Sequence, residues 1–422
     1  MFQTARRPNM ECTQSFTNLL SVFQCVFTAP TFPIFVNLMT GWILTHRRRF
    51  VTDLMWSSGF TRRGHYCRYH RFFSQSAWAL DSVSWVLAKV LINLFAPTGI
   101  VYLAVDDTLC RKRGLTVYGT GMHHDPLISS RKKALVSWGH DWVVKRKPDP
   151  NHRTRPELAV ELISLIAGWF SGRIFVVSGD SAYGGASVLK KLPANVELIS
   201  HVHPKGALYT LPPPPVPGQI GCPRKKGQRL PGMGQWADDP RQPWKKLVFD
   251  QFGLHATLLV KTQQALYYKA GGRRLLTIVL VRDVLGQRPD QMFYCTRLDW
   301  DAHKILSTYA SRWSIEVTFE NSKQLLGLGD PANRKEKAVH RTAPMALVLF
   351  SLIVAWFHQV GHRFIRFPDR PWYRQKREPS FADMLTTLRR KSWLDYFHRL
   401  HSKTGGVKKC VAQIIEFLSL SG

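Results

Sequence analysis

Acidic residues stand at the ends of two predicted strands in the middle of the sequence. The run of strand-forming residues at 99–105 stops at Asp106 and Asp107. The run at 173–178 is followed, after one glycine, by Asp180. A strand-terminal aspartate often only caps the next turn. Two strand ends with acids in one open α/β sheet predict a shared carboxylate site, because such folds bind ligands at that edge.

A long predicted helix at 301–326, which contains no proline or glycine, carries further polar side chains. At about 100° per residue, one stripe of this helix presents Tyr309, Arg312, Glu316 and Lys323. Glu320 falls on the same stripe, so helix geometry leaves Glu316 and Glu320 as alternatives. A charged stripe packs poorly against an apolar core, so we expect it to meet a charged ligand.

Three carboxylates with neighbouring cations form the set that metal-assisted phosphoryl transfer requires. Carboxylates hold two Mg²⁺ ions, one of which activates a water or a 3′-hydroxyl while the other stabilises the leaving oxygen. The sequence has no Gly-rich loop ending in Gly-Lys-Ser/Thr and no Gly-x-Ser-x-Gly motif. These observations argue against an ATP-driven motor and a serine hydrolase.

The charge of the chain points to a polyanionic partner. Against 59 Lys and Arg stand only 28 Asp and Glu, for a formal net charge of +31, which favours nucleic acid. The apolar stretch at 82–103 is interrupted by polar residues and proline, and the one at 344–357 is short, so we expect no membrane span. Seven scattered cysteines without a Cys-x-x-Cys pair are typical of a reducing cytosol.

The first 95 residues are predicted to be helical and contain a basic, aromatic segment at 46–73. Gly59 separates two short amphipathic stretches there, which suits a helix-turn-helix, although a solvated basic face on a helical bundle explains the pattern equally well. The candidate DNA-binding arginines of this segment are Arg47, Arg48, Arg62 and Arg63.

The rest of the chain is predicted to contain an α/β part, a β-rich segment and a basic C-terminal part. The pattern predicts a mixed α/β sheet up to residue 205, with additional strands at 115–121 and 134–145. Short strand patterns at 244–249, 255–261 and 275–282 indicate a β-rich segment. Residues 361–410 hold 13 Lys and Arg against 4 Asp and Glu, with aromatic residues between them, a composition that suits contact with a nucleic-acid backbone.

Three sequence blocks resemble those of DDE transposases of the insertion sequence 4 class. The spacing Tyr309-x2-Arg312-x3-Glu316-x6-Lys323 is similar to their YREK signature. Val105-Asp106-Asp107-Thr108 and Ser178-Gly179-Asp180-Ser181-Ala182-Tyr183 resemble their two aspartate blocks, with Gly139-His140-Asp141-Trp142-Val143 between them. The resemblance covers about residues 101–330, and the N-terminal region also resembles the insertion sequence 701 branches.

The resemblance implies a metal site and a DNA-end site. Asp107, Asp180 and Glu316 become the catalytic ligands of Mg²⁺, or of Mn²⁺, in a two-metal site. The position before Thr108 favours Asp107 over Asp106, and the motif favours Glu316 over Glu320. Tyr309, Arg312 and Lys323 become DNA-binding residues near the cleaved end. Some relatives stack a flipped base on a tryptophan, for which Trp244 and Trp300 are candidates, although core packing is the commoner role of such residues.

The fold class that the resemblance implies is α/β, with an RNase H-like mixed-sheet catalytic core interrupted by a β-rich insertion and flanked by helical N-terminal and C-terminal regions. The expected segments are a helical DNA-binding region at 1–95, the first part of the core at 96–205, the insertion at 206–299, the catalytic helix at 300–345, and a basic helical region at 346–422.

The expected function is cut-and-paste transposition by a prokaryotic, cytoplasmic enzyme. It binds double-stranded DNA as transposon ends and target, as a homodimer and without a membrane. The alternatives are a transposase-derived DNA-binding protein and an RNase H-like nuclease that lacks strand transfer. Intact acids at all three ligand positions argue against the first alternative, and the YREK spacing argues against the second.

The excess of positive charge predicts steeply salt-dependent DNA binding. The logarithm of the association constant should fall against the logarithm of salt concentration with a slope of about −0.9 for each duplex phosphate contacted, because each contact releases counterions. Fluorescence anisotropy titrations of duplex DNA over a salt series measure this slope. An affinity that hardly changes with salt would instead indicate a membrane surface or an acidic protein as the partner.

Overall fold

The computed structural model describes residues 11–59, 65–114, 116–125, 127–129, 133–141, 153–214, 222–251, 254–367, 371 and 376–404. The helices are α1 (Gln14–Ser21), α2 (Phe32–Leu44), α3 (Val51–Ser58), α4 (Cys67–Ser74), α5 (Leu80–Phe95), α6 (Arg155–Trp169), α7 (Ala186–Leu189), α8 (Met233–Asp238), α9 (Tyr268–Gly271), α10 (Ala302–Ala310), α11 (Trp313–Leu326), α12 (Glu336–Gln359) and α13 (Phe381–Thr404). The strands are β1 (Val101–Val105), β2 (Leu109–Arg111), β3 (Gly121–His124), β4 (Val136–Asp141), β5 (Phe175–Gly179), β6 (Val196–His201), β7 (Lys245–Gln251), β8 (Leu254–Leu266), β9 (Leu275–Asp283) and β10 (Gln291–Cys295).

The chain divides into two units, each of which is discontinuous in sequence. The first unit comprises Met1–Phe95, Cys110–His140 and Thr318–Gly422. The second comprises Ala96–Leu109 and Asp141–Val317. Two of the predicted segments, 96–205 and 300–345, therefore contribute to both units.

The first unit is mainly helical, and aromatic residues fill much of its core. The ring centroids of Phe27 and Phe35 lie 4.7 Å apart, and those of Phe72 and Trp78 lie 5.1 Å apart. Helix α4 buries Phe72 and Phe73, while Arg68 in its first turn is exposed. The N-terminal stretch is thus helical over its described residues, as its periodicity predicts.

The second unit is built on a seven-stranded mixed sheet in the order β1-β5-β6-β10-β9-β8-β7. Strands β1, β5 and β6 run parallel, and the remaining neighbours run antiparallel. All five residues of β5 are buried, as expected for a central parallel strand covered on both faces. The strands predicted within 206–299 are present, and the pairing of β10 with β6 joins them to the same sheet as β1.

Three further strands form a separate sheet in the order β2-β4-β3. The strand predicted at 115–121 is wrong, because β3 begins only at Gly121. Gly119 has a positive φ of 75°, and the Thr120 hydroxyl donates to the Val117 carbonyl at 2.7 Å, so a turn occupies this stretch. The strand predicted at 134–145 is observed as β4 over its described residues.

Helix α12 is longer than the apolar stretch at 344–357 suggests. It runs for 24 residues with Pro344 in its interior, and among the described residues it alone has the length and composition needed to cross a membrane. The argument that this segment is too short to span is therefore wrong. However, 67% of its apolar window is buried inside the structure, as in the core helix of a globular protein.

The buried guanidinium of Arg341 on α12 predicts a test of stability in the first unit. Arg341 is 7% exposed, donates to the carbonyls of Phe73, Ser76 and Trp78, and lies 4.2 Å from the Trp78 ring centroid. Arg341→Met should lower the free energy of unfolding by about 1.5–3 kcal/mol, since it removes hydrogen bonds made by a charged donor. Denaturant titration measures the loss. The control is Lys337→Met one turn earlier, an exposed position at which a change within about 0.5 kcal/mol is expected.

Candidate active site

Three aspartates meet at one edge of the seven-stranded sheet. Parallel strands β1 and β5 pair with Val105 opposite Gly179, so the residues that follow both strands leave the sheet at the same end. The Asp107 backbone N–H donates to the Asp106 carboxylate at 2.9 Å. Asp180 accepts from the Ala182 backbone N–H at 2.9 Å and thereby caps a short 3₁₀ turn. The predicted juxtaposition of these strand-terminal acids is present in the second unit.

Arg312 links one of these aspartates to the glutamate of the predicted motif. Its guanidinium is 2.5 Å from the Asp106 carboxylate and 3.0 Å from the Glu316 carboxylate. The Arg312 side chain is only 14% exposed, so solvent screens these ion pairs weakly. By contrast, Glu320 is exposed and accepts from the Gln324 amide at 3.0 Å. Glu316 is thus connected through Arg312 to Asp106.

Asp107 has different partners from Asp106. The Tyr183 hydroxyl donates to Asp107 Oδ1 at 3.0 Å, and Arg155 Nη2 lies 3.3 Å from Asp107 Oδ2. Arg155 also forms an ion pair with Asp141, whose side chain is 1% exposed. Each aspartate of the adjacent pair is thus held by its own arginine.

Burial and neighbouring acids raise the pKa values of Asp106 and Asp107. Burial raises the pKa of Asp106, and the charges of Asp180 and Asp107 add to the rise while Arg312 opposes it. Burial likewise raises the pKa of Asp107, with the charge of Asp141 in the same direction and Arg155 opposing. Half-buried acids in close proximity, with raised pKa values as at Asp106 and Asp107, form an environment that favours a bound cation.

The predicted helix at 301–326 is interrupted, so the continuous polar stripe is wrong. Helix α10 ends at Ala310 and α11 begins at Trp313, with Ser311 and Arg312 between them. The backbone N–H of Ser314 donates to the Ser311 carbonyl at 3.2 Å, an i+3 bond that tightens the chain. The Ser311 hydroxyl bonds back to the Ser307 carbonyl at 3.0 Å, a contact that often bends helices.

The break places Tyr309 on α10, whereas Glu316 and Lys323 lie on α11. The Tyr309 hydroxyl lies 2.8 Å from His201 Nε2, and its ring packs edge-on to Phe293 at 4.9 Å between centroids. Burial lowers the pKa of His201, and Arg312 acts in the same direction. Lys323 lies in the last turn of α11 and belongs to the first unit. The structure therefore groups Tyr309, Arg312 and Glu316 with the aspartates in the second unit.

The N-terminal candidates lie in the first unit. Arg47 and Arg48 are exposed in the segment between α2 and α3, and the Arg48 guanidinium is 6.0 Å from the Phe50 ring centroid. Gly59, at a φ of 73°, ends α3 in the left-handed conformation. Arg62 and Arg63 lie outside the described residues.

The two candidate stacking tryptophans both have protein neighbours. Trp244 lies 4.9 Å from the Lys261 amino group and 4.7 Å from the Arg282 guanidinium, measured to the ring centroid. Trp300 packs against the buried cluster formed by the sheet and α10. These contacts favour the packing role for both residues.

The donors present at the sheet edge suit a hard divalent cation. Mg²⁺ and Mn²⁺ prefer carboxylate oxygens, which are the groups gathered here. As placed, no three His, Cys, Asp or Glu side chains of the described residues are arranged to hold a metal ion. Instead, Arg312 and Arg155 supply the positive charge. The residues fit the cation by chemistry, and guanidinium groups balance them in this structure.

Sequence reasoning missed three residues that contact the acids or the motif tyrosine, namely Arg155, Tyr183 and His201. Tyr183 lies within the second aspartate block, three residues after Asp180, and this spacing was the available signal. Arg155 and His201 had no distinguishing pattern, because each reaches its partner only through the fold.

Comparison with known proteins finds a similarity over part of the chain. Residues 22–148 match the family model described as DDE superfamily endonuclease. No curated protein matches the chain. The matched segment includes Asp106, Asp107 and Asp141, and it ends before Asp180 and Glu316. The similarity to this endonuclease family therefore covers the part of the site that contains Asp106, Asp107 and Asp141.

The elevated pKa of Asp107 predicts that neutralising this residue stabilises the fold. An acid whose folded pKa is raised costs stability at pH values above its usual value of about 3.9, and the cost grows as pH rises through the folded pKa. Asp107→Asn should therefore raise the melting temperature at pH 7 in metal-free buffer, measured by differential scanning calorimetry.

Asp125 supplies a control of opposite sign. Arg111 lies 2.6 Å away and holds the pKa of Asp125 well below its usual range. The stability from this pair is present above about pH 3.9 and is lost as pH falls, so Asp125→Asn should lower the melting temperature. A lower melting temperature in Asp107→Asn would contradict the electrostatic account of the site.

Proposed function

We propose that this protein is a DDE transposase that cuts DNA at transposon ends and joins them to a target by metal-dependent phosphoryl transfer. The observation that carries the proposal is the group of carboxylates where β1 and β5 end, with Arg312 joining Asp106 to Glu316. The family match supplies the DNA endonuclease class. The seven-stranded mixed sheet is compatible with an RNase H-like core, into which 206–299 is inserted.

The proposed metal ligands are Asp107, Asp180 and Glu316, which would hold Mg²⁺ or Mn²⁺. The bound metal supplies activation of the attacking oxygen and stabilisation of the leaving oxygen. The chain's own residues prepare the site. Asp180 is fixed by its cap on the following turn, and Glu316 is oriented by Arg312. These contacts hold carboxylates close together despite their mutual repulsion.

The proposed DNA contacts use the basic residues outside this cluster. Arg47, Arg48, Arg62 and Arg63 would contact phosphates, with 1–95 as the DNA-binding region and 346–422 as a second basic surface. Tyr309, Arg312 and Lys323 would bind the cleaved end. A homodimer would hold the two ends, and the cytoplasm of a prokaryote would be the site of action.

The test of the function is a cleavage and joining assay. The purified chain is incubated with Mg²⁺ and a plasmid that carries the DNA flanking its own gene. Asp107→Asn, Asp180→Asn and Glu316→Gln should each abolish cleavage while the DNA dissociation constant stays within about threefold, because most affinity comes from phosphate contacts. Glu320→Gln, on the same helix, is the matched control and should keep full activity.

The outcomes separate the competing functions. Cleavage without joining would indicate a nuclease, and binding without cleavage in the wild type would indicate a DNA-binding protein derived from a transposase. Retained cleavage in Asp107→Asn with loss in Asp106→Asn would move the first ligand to Asp106.

Arg312→Met and Lys323→Met should weaken binding to transposon ends more than to scrambled duplex. Equal losses on both would make them general phosphate contacts.

A further inference from the structure

An arginine at the start of α6 lies between two aspartates. Arg155 pairs with Asp141 at the end of β4 and places Nη2 3.3 Å from Asp107 Oδ2. The Asp141 side chain is 1% exposed, whereas Arg155 is 35% exposed. The same guanidinium nitrogen, Nη2, therefore contacts both the buried Asp141 carboxylate and the Asp107 carboxylate.

The position of Arg155 in its helix is electrostatically unfavourable. Arg155 is the first residue of α6, and the partial positive charge of a helix N-terminus disfavours a cation there. The helix start is nevertheless well defined, because the Thr154 backbone N–H donates to the Glu157 carboxylate at 2.9 Å in a capping box. The stability of the helix thus does not explain Arg155, and its aspartate partners do.

The second oxygen of Asp107 is held independently. Tyr183, which is 1% exposed, donates its hydroxyl to Oδ1 at 3.0 Å. Both oxygens of the carboxylate consequently have a donor or a cation in contact.

We infer that Arg155, anchored by Asp141, is a positioning residue that orients the Asp107 carboxylate for the reaction. It acts through Asp107, together with Tyr183, and does not contact DNA. The inference deepens the proposed function and depends on it for the role of Asp107. Groups that orient a metal-binding carboxylate typically change metal affinity or activity by about 10–100-fold when they are removed.

The test compares Arg155→Met and Arg155→Lys with Arg153→Met. Arg153 is the matched control, because it lies two residues earlier and pairs with Glu161 at the surface. Single-turnover cleavage at saturating DNA should slow by about 10–100-fold in Arg155→Met, with the DNA dissociation constant unchanged within twofold. Arg155→Lys should recover part of the rate, and Arg153→Met should match the wild type. A weaker DNA affinity with an unchanged saturated rate would overturn the inference and make Arg155 a phosphate contact.

Melting temperatures in metal-free buffer provide a readout that needs no activity. If Arg155 acts on Asp107, the fall in melting temperature caused by Arg155→Met should be smaller in an Asp107→Asn background, because the two residues are coupled. An equal fall in both backgrounds would overturn the inference. Should the wild type show no metal-dependent cleavage, the proposed function fails, and this comparison still decides whether Arg155 holds Asp107. If Arg155→Met does not fold, Arg155→Lys is used in the same comparison.

Discussion

Repulsion among carboxylates at one sheet edge is the constraint that organises the second unit. Two unit charges about 4 Å apart interact by about 4 kcal/mol at the effective dielectric of a protein surface, which is comparable to a large part of a domain's stability. The fold opposes this repulsion with two guanidinium groups. Arg312 lies between Asp106 and Glu316, and Arg155 lies between Asp107 and Asp141.

The parallel pairing of β1 and β5 makes this concentration of charge unavoidable. Their register places the residues after Val105 and after Gly179 at the same end of the sheet. All five residues of β5 are buried, so any movement of this strand that relieved the repulsion would disrupt the packing of the sheet. Packing energy in the sheet therefore offsets the electrostatic cost, and such a stored cost is common at functional sites.

Local sequence pattern predicted the parts of the site that depend on neighbours in the chain. The strand ends at Asp106 and Asp180, the helical first region and the strands within 206–299 all follow from periodicity and turn residues. The continuous helix at 301–326 was wrong, since no composition rule marks the break at Ser311, where a serine hydroxyl returns to the backbone. The length of α12 was underestimated from the apolar stretch at 344–357. The helix begins at Glu336, and its more polar first turns also contain buried residues. The ion pair of Arg155 with Asp141 has no periodic signal, because only the fold brings these residues together.

The family match covers only some of the acids at the sheet edge. The matched segment, 22–148, contains Asp106, Asp107 and Asp141 but not Asp180, Glu316 or the two arginines. It therefore covers three acids of the site without their counter-charges or the remaining carboxylates. The pairing of β1 with β5 and the contacts of Arg155 and Arg312 connect the matched acids to residues in the unmatched part of the chain. Four acids contributed by separate chain segments are held in place through two arginines, so a change at one acid alters the charge balance felt by the others. The charge of Asp107 raises the pKa of Asp106, so the set held by Arg155 and the set held by Arg312 are electrostatically coupled.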